Sequence, residues 1–228
     1  MENPIKNVEV GQRILSKNDK VAKELREIYR QVNVFVVNFM SSPGSGKTTL
    51  LENIAKYKFL DFSVVEGDLQ TNRDAERLAH FGVNAYQITT GEACHLEASM
   101  VKDALEILRN QGDLKDFMFI ENVGNLVCPA SYDLGANMNI VLLSTPEGDD
   151  KVLKYPTMFL CADVVVISKG DLVDVFDFKL ERVQEDLAKL KKEIPLFVLS
   201  SKNRESLEQF CAFLQQKKEQ NYVSSHTF

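Results

Sequence analysis

Lys47 and Thr48 close the run Ser41-Ser42-Pro43-Gly44-Ser45-Gly46-Lys47-Thr48-Thr49, a spacing of glycine, lysine and hydroxyl suited to holding a polyphosphate. The glycines let the chain turn so that successive N–H groups point inward, and a helix N-terminus behind them adds partial positive charge. In such a loop Ser42, Gly44, Ser45, Gly46 and Thr49 line the phosphates. The Lys47 ammonium then sits on the β- and γ-phosphates, and the Thr48 hydroxyl ligates Mg²⁺. Ser41 stands where this kind of loop usually carries its first glycine.

Two carboxylates stand at the ends of apolar runs. Asp68 follows Phe62-Ser63-Val64-Val65-Glu66 and opens a polar segment reaching Asp74, and Glu121 ends Phe117-Met118-Phe119-Ile120-Glu121. If their strands flank the one feeding the phosphate loop, both face Thr48. Either can then hold Mg²⁺ directly or through water, or orient the attacking water, and the sequence does not divide these roles. Glu121-Asn122-Val123-Gly124 resembles the D-x-x-G segment of GTPases with Glu for Asp; there the glycine N–H reads the γ-phosphate and the following loop moves on hydrolysis.

A base is addressed farther along. Val164-Val165-Val166-Ile167 delivers Ser168-Lys169-Gly170-Asp171, similar to the N-K-x-D guanine motif with Ser for Asn. Guanine offers two adjacent donors that one carboxylate, Asp171, accepts together, whereas adenine has no such pair. Lys169 lays its stem along the base. Ser200-Ser201-Lys202 resembles the weaker S-A-K element whose backbone meets the guanine carbonyl, so Ser201 and Lys202 join the nucleotide set. The combination favours GTP, and its product GDP, over ATP.

A third constellation is Cys94-His95, within Gly91-Glu92-Ala93-Cys94-His95-Leu96-Glu97, together with Cys128. Thiolate and imidazole suit Zn²⁺ or Ni²⁺. Placed at the start of a helix over 93–110, neighbours diverge by about 100° and can share one ion only near the helix end. Three ligands are one short of a closed four-coordinate site, which leaves room for water, a backbone nitrogen or a second subunit's residues. The bland alternative is that both cysteines are small buried residues and His95 is satisfied locally. Cys128 lies seven positions past Glu121, on the segment that would respond to the γ-phosphate. Cys161 and Cys211 sit in apolar surroundings and read as core.

The elements that must position these groups alternate. Strands are expected over 33–40, 62–66, 83–89, 117–121, 139–144, 164–167 and 196–199. Helices are expected from Lys47 to about Lys56, and over 74–81, 93–110, 178–192 and 205–219. This predicts an α/β fold, a P-loop NTPase with three layers, α/β/α, and a mainly parallel sheet. Val10, Ile14, Leu15, Val21, Ala22, Leu25 and Ile28 predict one or two helices before it, with no visible packing partner. The expected organisation is an N-terminal helical extension over 1–31, a P-loop GTPase domain over 32–221 and a tail over 222–228.

Bulk properties narrow the partners. A chain of 228 residues suits one domain, and 27 basic against 33 acidic side chains give a net charge of −6 with no long basic run, which argues against nucleic acid. The N-terminus has no apolar signal core, and no apolar run approaches the roughly 18 residues of a membrane span, so a soluble cytoplasmic protein with no membrane partner is expected. Four widely spaced cysteines in a reducing compartment are thiols or metal ligands.

With these residues together, the chain resembles the hydrogenase nickel-incorporation GTPases called HypB. The resemblance covers 33–228, through SSPGSGKTTL, EGDLQTNRDAERL, TTGEACHLEA, ENVGNLVCP, STPEGDDK and SKGD. It implies a SIMIBI-like fold and a metallochaperone that hydrolyses GTP, with Lys47, Asp68 and Glu121 as catalytic residues, to help place Ni²⁺ in [NiFe] hydrogenase and, by extension, in urease. It implies that Cys94, His95 and Cys128 bind the metal and that a homodimer promoted by GTP or metal unites the two functions. An accessory protein such as the HypA family is the implied partner in nickel delivery, with the hydrogenase large subunit served indirectly. The cysteine-rich N-terminal site and histidine-rich stretch of some relatives are absent, so nickel storage is not expected, and Ser168 leaves guanine selectivity resting on Asp171. The rival readings are an ATP-dependent kinase or ligase on the same fold, and a passive metal-binding module with a vestigial nucleotide site.

Overall fold

Val34 to Met40 is apolar except for Asn38 and shows no alternation, as expected of a strand covered on both faces. In the computed structural model it forms most of β1 (Phe35–Ser41), every residue of which is buried. The structure describes residues 4–68, 73–91 and 93–225, with side chains described over 15–67, 74–91 and 93–222. The side chains of Val10, Ile14 and Asp68 therefore lie outside the described set, as do residues 69–72 and 92 and the last three of the expected tail.

In chain order the elements are α1 (Pro4–Gln31), β1, α2 (Lys47–Tyr57), β2 (Phe62–Asp68), α3 (Arg73–Ala79) and β3 (Ala85–Thr89). They continue with α4 (Ala98–Gln111), β4 (Phe117–Glu121), β5 (Met138–Ser144), α5 (Lys151–Lys154) and α6 (Pro156–Cys161). The chain closes with β6 (Val164–Ser168), α7 (Leu180–Leu190), β7 (Leu196–Val198) and α8 (Arg204–Ser225). Among the described residues seven strands form one sheet in the order β3-β2-β4-β1-β5-β6-β7, and each neighbouring pair runs parallel. Helices on both faces complete the expected three layers. Phe35, Val37 and Phe39 meet Leu51 and Ile54 of α2 and Phe210 and Leu214 of α8 on one face. The opposite face packs on α1 and α4 around Val36, Met118 and Ile120, and on α6 and α7 around Val141 and Val165.

α1 is one continuous helix, and Ala22, Leu25 and Tyr29 on it are fully buried against α4 and the sheet. At the other end α8 continues past Tyr222, the expected start of the tail, to Ser225. Among the described residues no helix is long and apolar enough to cross a membrane.

Two expectations need correction. β2 does not flank β1, because β4 lies between them, so only Glu121 stands on a strand beside the phosphate loop. The helix expected from Ala93 starts at Ala98, with Glu97 extended (φ −107°, ψ 154°) as its N-cap. The apolar spacing of 93–97 is helical, but the first N–H of α4 is satisfied by Asn18 of α1, 80 positions away, which sets the start where no local signal could.

Candidate functional site

The loop between β1 and α2 turns on Gly44 (φ 72°) and Gly46 (φ 94°), conformations that L side chains rarely adopt. Ser41, in place of the usual glycine, is fully buried and accepts a 3.0 Å hydrogen bond from Lys47 Nζ. Burial holds the Lys47 pKa below its ordinary value, with Glu121 pulling the other way. Thr48 Oγ1 donates to Glu121 Oε1 at 2.8 Å. Burial pushes the Glu121 carboxyl above the usual carboxylate range, opposed by Lys47 and by the Thr48 hydrogen bond. A hydroxyl, a carboxylate and an ammonium thus share one buried corner, a donor set that fits Mg²⁺ and a phosphate.

The loop is braced from outside. Glu147, in the turn after β5, accepts hydrogen bonds from Ser45 Oγ (2.8 Å), Ser144 Oγ (2.6 Å) and the Ser144 N–H (2.8 Å). Burial pushes its pKa up, but the hydrogen bonds from Ser144, Ser42 and Ser45 together outweigh it and hold the carboxyl below its usual value. Ser168 Oγ donates to the Ser45 carbonyl at 2.6 Å and Lys169 Nζ to the Gly44 carbonyl at 2.8 Å. Gly124 presses on Pro43 so closely that a Cβ there would lie 2.9 Å from Pro43 backbone atoms.

The cavity above this corner is lined by Gly46, Lys47, Thr48, Glu121 and Gly124, and by Glu66, Asp74 and Arg77, whose part the sequence reading missed. Glu66 is buried on β2 in register with Glu121 on β4. The available signal was a carboxylate inside an apolar strand. Arg77 carries ion pairs to Glu52 of α2 and to Asp74, both at 2.7–2.8 Å. Asp68 ends β2 one strand farther from β1 than expected.

On the other side of Gly46 a second cavity is lined by Ser45, Thr49, Ser168, Lys169, Asp171 and Ser201. Asp171 accepts from Ser200 Oγ at 2.8 Å and from Lys202 Nζ at 2.7 Å, so the two sequence segments that suggested guanine meet on one carboxylate. The Lys202 hydrogen bond, then that of Ser200, hold the Asp171 carboxyl below the ordinary range, keeping it an acceptor. Lys169 sits in the left-handed region (φ 55°). The Ser168 hydroxyl is committed to the phosphate loop rather than to this cavity.

The structure also brings Cys94, His95 and Cys128 together, with their donor atoms within 4.8 Å of one another. Cys94 and His95 lie on the bend before α4, so the divergence of helical neighbours does not limit them. Cys128 opens a short 3-10 turn over Cys128–Ser131. The Cys94 thiol donates toward the Cys128 sulfur at 2.7 Å, and Cys94 Sγ lies 3.8 Å from His95 Nδ1. Burial lowers the His95 pKa, against the pull of Glu97, which favours the neutral ring a metal needs. The hydrogen bond from Cys94 raises that of Cys128. Two thiols and one imidazole suit a borderline-soft divalent ion.

Neighbours fix the three. The His95 ring stacks on Tyr132 (centroids 3.7 Å apart, planes at 18°), and Asn125 Oδ1 accepts from the N–H groups of Val127 (2.7 Å) and Cys128 (3.3 Å). Leu96 is fully buried against Gly67 of β2, where a Cβ would come within 2.8 Å of it. Each segment that carries a candidate ligand therefore touches the frame of the cavity beside the glycine-rich loop, one at Gly67 and the other at Pro43. Cys161 and Cys211 stand apart, their thiols pushed by burial to about 11 and about 12.

A parallel sheet whose central strand feeds a glycine-rich loop and a buried lysine defines a P-loop nucleotide-binding protein, and residues 35–198 match the family described as CobW/HypB/UreG, nucleotide-binding domain. The chain is 63% identical over 225 residues, 98% of its length and 93% of the relative's, to the hydrogenase/urease maturation factor HypB of Helicobacter pylori. It belongs to the HypB family of hydrogenase/urease maturation factors. A crystal structure of HypB from Helicobacter pylori in complex with nickel superposes with a TM-score of 0.88 at 63% identity, covering 93% of this chain and all of that one. The signal recognition particle receptor FtsY from Elizabethkingia anophelis, in complex with GDP, shares the SIMIBI-like fold alone (TM-score 0.50, 15% identity, 89% of this chain and 77% of that one). None of these matches is to an ATP-dependent kinase or ligase.

Proposed function

We infer that this protein is a GTPase that handles nickel for the maturation of [NiFe] hydrogenase, and of urease, with its nucleotide state governing its metal site. The observation that carries the reading is continuity. Glu121 contacts Thr48 in the phosphate corner, and the seven residues after it hold Gly124 on Pro43 and end at Cys128 of the thiol–imidazole triad. Family membership and the nickel-bound relative support the metal and the substrate.

In this reading Ser42, Gly44, Ser45, Gly46 and Thr49 cradle the phosphates of GTP while Lys47 neutralises them. Thr48 and Glu121 would hold Mg²⁺, which when bound would supply positive charge against the phosphates. Asp68 shares the work of Glu121 in holding the ion or orienting water. Asp171 accepts the guanine donors, with Lys169 along the base and Ser201 and Lys202 at its edge. Cys94, His95 and Cys128 hold Ni²⁺, or Zn²⁺, as cargo. A second copy of the chain, brought in by GTP or metal, fills the remaining coordination positions, and a HypA-type accessory protein takes part in delivery to the hydrogenase large subunit. The protein acts in the cytoplasm, with neither nucleic acid nor membrane as partner.

The test is hydrolysis by the purified chain with Mg²⁺, GTP and ATP, alone and in competition. Turnover of GTP that excess ATP does not suppress is expected. Equal use of ATP contradicts the reading.

A further inference from the structure

The two segments that carry the metal-ligand candidates are tied together by a side chain that belongs to neither. Asn18, on α1, is 6% exposed. Its Oδ1 accepts a 2.8 Å hydrogen bond from the N–H of Ala98, the first residue of α4 and the third after His95. Its Nδ2 donates a 2.8 Å hydrogen bond to the carbonyl of Asp133, which follows the Tyr132 on which His95 stacks. One amide thus spans both segments, 94–98 and 128–133. Only an amide side chain offers a donor and an acceptor in so short a fixed fork, so replacement by Asp or Leu breaks one or both bonds.

The rest of α1 docks against the same place. Arg26 Nη2 contacts both oxygens of the Asp133 carboxylate at 2.7 Å, and Gly135 approaches the Ala22 carbonyl so closely that a Cβ would lie 2.6 Å from it. Glu97 gives α4 no side-chain cap of its own, which leaves the helix start dependent on Asn18. α1 lies outside residues 35–198, the part that matches the nucleotide-binding family.

We propose that Asn18 is a positioning residue for the metal site: it sets the distance of Cys94 and His95 from Cys128, and through it the N-terminal helix, not the nucleotide-binding domain alone, builds that site. This rests on Cys94, His95 and Cys128 being the ligands. Asn18 does not touch the ion. Groups that hydrogen-bond the ligands themselves typically contribute about 10- to 100-fold in affinity; Asn18 acts one step farther out, on the backbone that carries them, so the lower end of that range is expected here.

The experiment uses the full chain, nucleotide-free, with Ni²⁺ alone and Zn²⁺ alone in competition with a chromophoric chelator. The thiolate-to-nickel charge-transfer band reports how many sulfurs bind. Wild type is compared with Cys128→Ala, Asn18→Leu, which breaks both hydrogen bonds, and Asn18→Asp, which keeps the acceptor for Ala98 and loses the donor to Asp133. Asn18→Leu is expected to lose at least tenfold in affinity and part of the band, Asn18→Asp to fall between it and wild type, and metal-free GTP turnover to stay within about twofold in both. Wild-type affinity and a full band in Asn18→Leu overturn the proposal. If Asn18→Leu does not fold, Asn18→Asp decides by the same comparison, because a carboxylate at a helix N-terminus is well tolerated. Wild-type binding by Cys128→Ala instead overturns the assignment of the ligands.

Discussion

Thr48 Oγ1 and Glu121 Oε1, 73 positions apart in sequence, are joined by a 2.8 Å hydrogen bond at the point where β1 and β4 run side by side. The bond joins the hydroxyl and the carboxylate proposed above to hold magnesium, and it ties the glycine-rich loop to the strand whose continuation bears Cys128. A buried carboxylate with a raised pKa is costly to keep ionised until a cation arrives.

Glu121→Gln is therefore expected to stabilise the nucleotide-free protein while disabling it. The folded pKa of Glu121 lies above its unfolded value, so its contribution to stability is full below the ordinary carboxylate range and is lost as pH rises through the folded pKa. Melting curves at neutral pH should place the variant above wild type, with the gap closing as pH falls toward about 4.3. GTP turnover should drop by about a hundredfold or more. A variant that melts lower at neutral pH, or that keeps its turnover, contradicts this account of Glu121.

Lys47→Ala should abolish hydrolysis without unfolding the chain. The side chain is buried with its pKa lowered, and its one hydrogen bond described here, to Ser41, is to a hydroxyl that also donates to the Ser42 carbonyl. Removing it leaves Ser41 anchored. Circular dichroism and turnover together check this, and a folded variant with wild-type turnover would move the phosphate site elsewhere.

Asp171→Asn puts a donor where guanine donates and removes the charge that holds Lys202. Each buried donor left unpaired costs about 1–3 kcal/mol, roughly 5- to 150-fold in affinity. Competition binding of GTP against ATP should show that loss for GTP alone. Unchanged selectivity would reduce Ser168-Lys169-Gly170-Asp171 to a turn.

Tyr132→Ala frees the His95 ring, whereas Tyr132→Phe keeps the stack. Metal titration should find the alanine variant about tenfold weaker and the phenylalanine variant close to wild type. Equal losses in both would assign the effect to the hydroxyl rather than to stacking.

Much of this fold and site is legible in the sequence. The phosphate loop and Asp171 stand out because their chemistry depends on residue type at short spacing, and the parallel sheet follows from apolar runs alternating with helical patterns. Cys94 and His95 are adjacent, but Cys128 is 34 positions from Cys94, and spacing alone left burial as small core residues an open alternative for the cysteines. What stayed hidden depends on contacts remote in sequence. β4 sits between β1 and β2, so Glu66 in register with Glu121 lines the cavity and could not be ranked beside Asp68 from sequence. The start of α4 was misplaced by five residues because its first N–H is bonded by a residue on α1. Ser168 looked like a weakened guanine contact, and instead its hydroxyl braces the carbonyl of Ser45. α5 and α6, of four and six residues, are too short for periodicity to reveal.

Nucleotide state is expected to govern the metal site, since Cys128 rides on the segment anchored at Glu121 and Gly124, and Leu96 beside His95 is seated on Gly67. By reciprocity, a metal that prefers the GTP-held arrangement must strengthen GTP binding by the same factor. The most direct measurement is Ni²⁺ affinity of the wild-type chain with GDP and with a non-hydrolysable GTP analogue, following mass by light scattering and repeating with Cys128→Ala. Wild type should differ between the two nucleotides in affinity and in mass, and Cys128→Ala should lose the difference in affinity. Identical nickel affinity and identical mass in both nucleotide states would contradict it, even if GTP hydrolysis and metal binding were each observed separately.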